Sequence, residues 1–184
     1  MRHATVMTVI LLFAQSLILG GCAATKGQTQ ARSTGSFIDD ARIESLVRRE
    51  IRSADPGLKR AHLSVVSYNG VVLILGQVDN ESLKLKATQA ATKIRKATKV
   101  HNEMEISGPI SRVARSNDTW LTSKVKTRLV ARTDIRGGRI KVVTENSVVY
   151  LMGLTTREHA DKAVEVARNV FGVQKIVKVF EYTS

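Results

Sequence analysis

Asn69-Gly70-Val71-Val72-Leu73-Ile74-Leu75-Gly76 and Asn146-Ser147-Val148-Val149-Tyr150-Leu151-Met152-Gly153 are one sentence written twice, 77 residues apart. Each places a turn dipeptide ahead of an apolar run that closes on glycine. Asn-Gly is the strongest short-range hairpin signal, so Leu63–Ser67 and Val71–Leu75 read as its two strands. The second copy keeps the asparagine but has Ser147 where the first has Gly70, and a left-handed backbone is less comfortable for serine.

Working outward, Ile43, Val47 and Ile51 match Leu121, Val125 and Leu129 at an offset of 78, and Val100 matches Ile176 at 76. A slowly drifting offset means two copies of one unit of about 70 residues with single-residue indels in loops. Ile43, Leu46, Val47 and Ile51 recur at helical spacing behind Asp39 and Asp40, which are placed to cap, and Pro56-Gly57 ends that helix. A second helix is predicted over Glu81–Lys96 with Leu83, Ala87, Ala90, Ala91 and Ile94 inward, then a closing strand near Val100–Ile106. Copy two repeats the order. A helix runs from about Asp118, and strands lie near Ile140–Thr144 and Val148–Met152. Its second helix opens on a Thr155/Glu158 capping box with Ala160, Ala163, Val164 and Ala167 inward, and the last strand spans about Lys175–Tyr182. The fold class is α+β: two tandem α-β-β-α-β units, each with two helices on one face of a three-stranded sheet.

The flanking segments are of another kind. Met1-Arg2-His3 and the apolar run Ala4–Leu19 read as a signal peptide over 1–21, since the run is short for a membrane span. Leu19-Gly20-Gly21-Cys22 resembles a bacterial lipobox, which makes Cys22 the expected lipidation site; two acyl chains give stable anchoring. Asp after that cysteine resembles an inner-membrane retention signal, and Ala23 stands there instead, so the expected location is the outer membrane, facing the periplasm. Residues 22–37, rich in Ala, Thr, Gln, Gly and Ser, read as a flexible tether. The expected boundaries are then 38–107 for the first unit, 108–116 for a linker around Gly108-Pro109, and 117–184 for the second unit.

Two α-β-β-α-β units with strands ending Val-Val-x-Ile/Leu-x-Gly resemble the BON domain. The Gly172-Val173-x-x-Ile176 turn of copy two is typical of that family, whereas copy one departs with Lys96-Ala97. The words Ser116–Trp120, Thr144–Asn146 and Leu151–Leu154, after a lipobox, are similar to those of dual-BON outer-membrane lipoproteins. The resemblance implies a role in envelope integrity, with support of outer-membrane protein assembly and localisation to division sites. It also implies that the first helix of the second unit binds anionic phospholipid of the phosphatidylglycerol kind.

Charge and chemistry agree with a binding role. The chain carries 29 Lys+Arg against 16 Asp+Glu, with 12 basic and 7 acidic residues in 116–184. In an envelope lipoprotein that balance favours phospholipid headgroups over nucleic acid, although a merely solvated surface has the same composition. His3, His62, His101 and His159 fall at non-equivalent repeat positions, and one cysteine excludes a Cys-rich metal site. No nucleophile–base pair, phosphate-cradling loop or cofactor motif is found, so no catalytic residue, no cofactor and no small-molecule substrate are expected.

At 100° per residue, Leu121, Val125 and Leu129 make a core stripe, while Trp120, Ser123, Thr127, Val130 and Ala131 face away, flanked by Lys124 and Lys126. Trp120, Lys124, Lys126, Thr127 and Val130 are therefore the candidate phospholipid-binding residues, with Val125 in support. Tryptophan suits a bilayer interface, having an apolar body and a polar N–H. The same face also suits a protein partner such as the outer-membrane assembly machinery, or packing on the other unit. The matching helix of copy one offers Glu44, Arg48 and Arg49 outward and no aromatic, and is not expected to insert.

Overall fold

A computed structural model describes residues 34–183; the expected signal peptide and Cys22 lie outside the described residues. The first unit runs α1 (Thr34–Ala54), α2 (Pro56–Arg60), β1 (His62–Tyr68), β2 (Val71–Val78), α3 (Glu81–Thr92), β3 (Lys99–Asn102) and β4 (Glu105–Ile106). The second runs α4 (Arg112–Val130), a 3-10 turn (Gly137–Arg139), β5 (Lys141–Glu145), β6 (Val148–Thr155), α5 (Arg157–Arg168) and β7 (Lys175–Tyr182). In each sheet the first two strands form an antiparallel hairpin, and the last returns parallel to the middle one. In the second unit β7 pairs with β6 without interruption from Val148↔Lys175 to Thr155↔Tyr182. In the first, the closing strand breaks at Glu103-Met104: Met104 turns into the core at 1% exposure, and its N–H donates to Asn102 Oδ1 at 3.1 Å.

Several boundaries differ from the sequence reading, each for a local reason. Helix α1 begins inside the stretch read as tether, so Asp39 and Asp40 are helix interior and not caps. Helix α4 begins at Arg112, inside the stretch read as linker, because Ser111 Oγ accepts the Ala114 N–H at 3.1 Å. Asp55 caps a short α2 after α1 stops at Ala54, with Pro56 in the first turn. Helix α3 ends at Thr92 and leaves Ile94 partly buried beyond it. Thr156, not Thr155, caps α5 by accepting the His159 N–H, and Glu158 pairs instead with Lys162 at 2.6 Å.

The helices of each unit cover one face of its own sheet. Ile43, Val47 and Ile51 meet Val65, Val72, Ile74 and Ala87 in the first core; Leu121, Val125 and Leu129 meet Val142, Val149, Leu151 and Ala163 in the second. A third apolar layer lies between the units, where Val66, Tyr68, Val71, Leu73 and Leu75 pack on Tyr150, Met152 and Val179. The two sheets thus meet on the faces their helices leave bare. That is why β2 is buried at every position, and why its sequence from Val71 to Leu75 is a continuous apolar run and not an alternation. Polar contacts fringe the layer: Lys141 Nζ donates to Glu44 Oε1 at 2.9 Å and to the Ser67 carbonyl at 3.1 Å, and Gln77 Nε2 donates to Glu145 Oε1 at 2.8 Å.

The repeats share a further device. Asp40, 3% exposed in α1, accepts from the Ser67 hydroxyl at 2.6 Å and from the Asn69 and Gly70 N–H groups at 2.9 and 3.0 Å. Asp118, its counterpart in α4, accepts from the Asn146 and Ser147 N–H groups at 2.9 and 2.8 Å. A buried carboxylate thus clamps a left-handed turn in each unit, with φ of 51° and 81° at Asn69 and Gly70, and 51° and 63° at Asn146 and Ser147.

Candidate phospholipid-docking face

Helix α4 is pinned to its sheet by Leu121, Val125 and Leu129, each 0% exposed, and to the hairpin by Asp118. With those contacts fixed, helical geometry decides what the outside presents. Trp120 is 52% exposed and Val130 56%, with Ser123 and Thr127 exposed between them. Lys124 stands one turn on from Trp120, and its Nζ lies 3.5 Å from the centre of the indole ring. This cation–π contact holds a flat apolar plate and a positive charge side by side.

Lys126 is placed otherwise. Its Nζ donates to the carbonyls of Gly137, Gly138 and Ile140 at 3.2, 3.3 and 2.6 Å, which uses all three ammonium protons. Burial there holds its pKa below the usual lysine value. Lys126 therefore fastens the 137–140 loop to α4 and is not a free charge. Val125 lies in the core, as the helical wheel had it.

Val113, 80% exposed, is a member of this face that the sequence reading missed. The early start of α4 puts it two turns before Trp120 on the same side of the helix. Its signal was the spacing of seven to Trp120, readable once Ser111 is taken as the cap. The face joins exposed apolar side chains to a fixed ammonium, an arrangement for docking on a surface. Among the described residues no group of three or more His, Cys, Asp or Glu is placed to hold a metal ion, and no helix there is long and apolar enough to cross a membrane.

Comparison with known proteins bears on both repeats. Residues 39–108 and 117–184 each match the BON domain family. The chain is 36% identical over 167 residues to the outer membrane lipoprotein DolP of Haemophilus influenzae, covering 91% of this chain and 86% of the relative. It is 38% identical over 152 residues to a 21 kDa hemolysin of Actinobacillus pleuropneumoniae, covering 82% and 78%. It is 26% identical over 159 residues to the osmotically-inducible protein Y of Escherichia coli, covering 84% and 78%. With both repeats matched and the DolP likeness running through nearly the whole chain, this protein belongs to the BON-domain family as a dual-BON, DolP-like member.

Proposed function

We propose that this protein is a periplasm-facing outer-membrane lipoprotein, anchored through Cys22, whose second BON unit docks on anionic phospholipid through the outer face of α4. It acts by binding and not by catalysis, and its role is envelope integrity, including support of outer-membrane protein assembly at division sites. One observation carries the lipid reading: Trp120 stands half in solvent with the Lys124 ammonium over its ring, on a helix whose inner face is fully spent on the core. An indole beside a cation suits the boundary between headgroups and acyl chains. The similarity to a relative named as an outer membrane lipoprotein supports the location.

Trp120 is the only tryptophan in the chain, so its emission reports on this face alone. The protein from Cys22 onward, with that cysteine replaced, is titrated with phosphatidylglycerol vesicles and with neutral phosphatidylcholine vesicles. A blue shift confined to the anionic vesicles is expected. A folded protein whose emission stays unchanged in both would move the partner of this face from lipid to protein.

A further inference from the structure

Phe171 is 88% exposed, more than any other large apolar side chain among the described residues. It sits at the tip of the turn between α5 and β7, and that turn is held rigidly. Val170 is buried at 2%, its N–H donating to the Ala167 carbonyl, and Val173 returns to the core with its N–H on the Val170 carbonyl. Arg128 of α4 donates to the Asn169 carbonyl at 2.6 Å. Gly172 follows at φ +100°, pressed so closely on α4 that a Cβ there would stand 3.0 Å from Leu121 Cδ2. The two valines are turned in and the aromatic is turned out. The turn therefore lies against α4 beside Leu121, next to Trp120 in the chain.

The other repeat shows what this position holds when it has no such task. At the offset of 76, Ile94 and Ala97 match Val170 and Val173 as inward anchors, and the exposed tip is Arg95 where copy two has Phe171. At the offset of 78, Arg42 stands where copy two has Trp120. The turn of copy one also lies against the start of its first helix, since Lys96 Nζ bonds Asp39 Oδ1 at 2.7 Å. Two surface positions of the same unit, Trp120 and Phe171, thus carry an aromatic where copy one has arginine. Around the tip the charge is cationic: Arg128 bonds the turn at Asn169, and Arg168 and Lys175 flank it in the chain, while Glu165, the one carboxylate in the last two turns of α5, interacts with Arg132.

We infer that the α5–β7 turn is a second insertion point, with Phe171 entering an anionic bilayer alongside Trp120. The inference rests on the lipid reading of α4 and adds to it a fixed pose. One inserted side chain leaves the protein free to swivel; two, on separate elements braced by Arg128 and Gly172, set how the second unit lies on the membrane. Phenylalanine supplies the apolar contact, and the bordering cations supply attraction to anionic headgroups.

The test moves the reporter. In the W120F/F171W double variant of the otherwise full mature chain, emission is followed on phosphatidylglycerol vesicles, with and without brominated acyl chains. A blue shift and bromine quenching at the F171W reporter are expected. Separately, F171S in the parent chain should weaken vesicle binding roughly fivefold while the Trp120 shift at saturation is kept. If Trp120 of the parent shifts and the F171W reporter stays unshifted and unquenched at vesicle concentrations where the double variant still co-sediments with the vesicles, the second insertion point is wrong and the α4 reading stands. If neither reporter responds, both fall. Unchanged affinity for F171S would likewise overturn the role given to Phe171.

Discussion

Aligned on the core residues Ile43 and Leu121, α1 shows solvent Arg42, Ser45, Arg49 and Arg52 where α4 shows Trp120, Ser123, Thr127 and Val130. Inside, the two helices are nearly interchangeable: the same apolar stripe faces the sheet, and the same aspartate reaches across to clamp the hairpin turn. The repeats have kept the contacts that fold a unit and parted company on the surface that meets a partner. Cationic charge at these positions does not mark the face proposed to touch lipid, for α1 carries arginine at 42, 49 and 52 where α4 carries none. The apolar side chains at those positions do, Trp120 and Val130 standing where α1 has Arg42 and Arg52.

The clamp gives the largest expected effect. D40A strands the buried Ser67 hydroxyl and two turn N–H groups, and should cost about 3 kcal/mol in urea denaturation. D118A should cost less, about 2 kcal/mol, since two donors lose their acceptor there and Thr144, the counterpart of Ser67, already bonds Thr122 at 2.8 Å. Equal losses would show that the hydroxyl contact of copy one adds nothing.

Next comes the outward face. Giving α4 the residues of α1, as W120R/V130R, adds positive charge while removing the apolar plate. Binding to anionic vesicles should fall about tenfold or more, with folding stability changed by no more than about 0.5 kcal/mol. Tighter binding would mean that charge, and not insertion, drives the contact. A large loss of stability would mean that Trp120 packs where it should be exposed.

Smaller effects sharpen the comparison at single positions. S147G puts copy one's residue into a turn where serine is held at φ 63°, and should stabilise the protein by about 0.5 kcal/mol, strain relieved less the entropy of a freer unfolded chain. The smallest effect concerns His101, whose counterpart in copy two is Val177. Burial, and then the nearby Lys99, hold the His101 pKa below its usual 6.5, with Glu103 opposing. The folded state therefore resists taking up a proton that the unfolded chain accepts. Its contribution is present above about pH 6.5 and is lost as the pH falls below it. H101V should flatten the drop in the urea midpoint between pH 7.5 and pH 5.5; an unchanged drop would assign it to other groups.

What could be read beforehand was whatever is local. The Asn-Gly turn, the apolar runs beside it and the inward alanines of α3 and α5 all declare themselves within a few residues. The early start of α4 did not, because Arg112–Ser116 buries little and is held by a cap and helix propensity, with no apolar period to reveal it. Nor did the work of Asp40, whose partners lie 27 to 30 residues away. The helical wheel put Trp120 outside and Val125 inside, because a stripe of three buried residues leaves little choice. It could not show what Lys126 would meet, since that depends on where the 137–140 loop comes to rest. The back-to-back contact of the sheets was written in Val71–Leu75, a run with no polar alternation, but the same pattern also describes an ordinary hairpin strand.

The layer between the sheets has a consequence for how the molecule is made. Val179 belongs to that layer and Val177 packs against it, both on β7, the last element of the fold. Until β6 and β7 are in place, the first unit, already supplied with its own helices, keeps Tyr68, Val71, Leu73 and Leu75 uncovered on its back. Neither repeat is finished by its own residues. The early half waits, apolar on one side, for the late half to arrive, and a chain cut short before residue 175 lacks Val177 and Val179 of the shared layer.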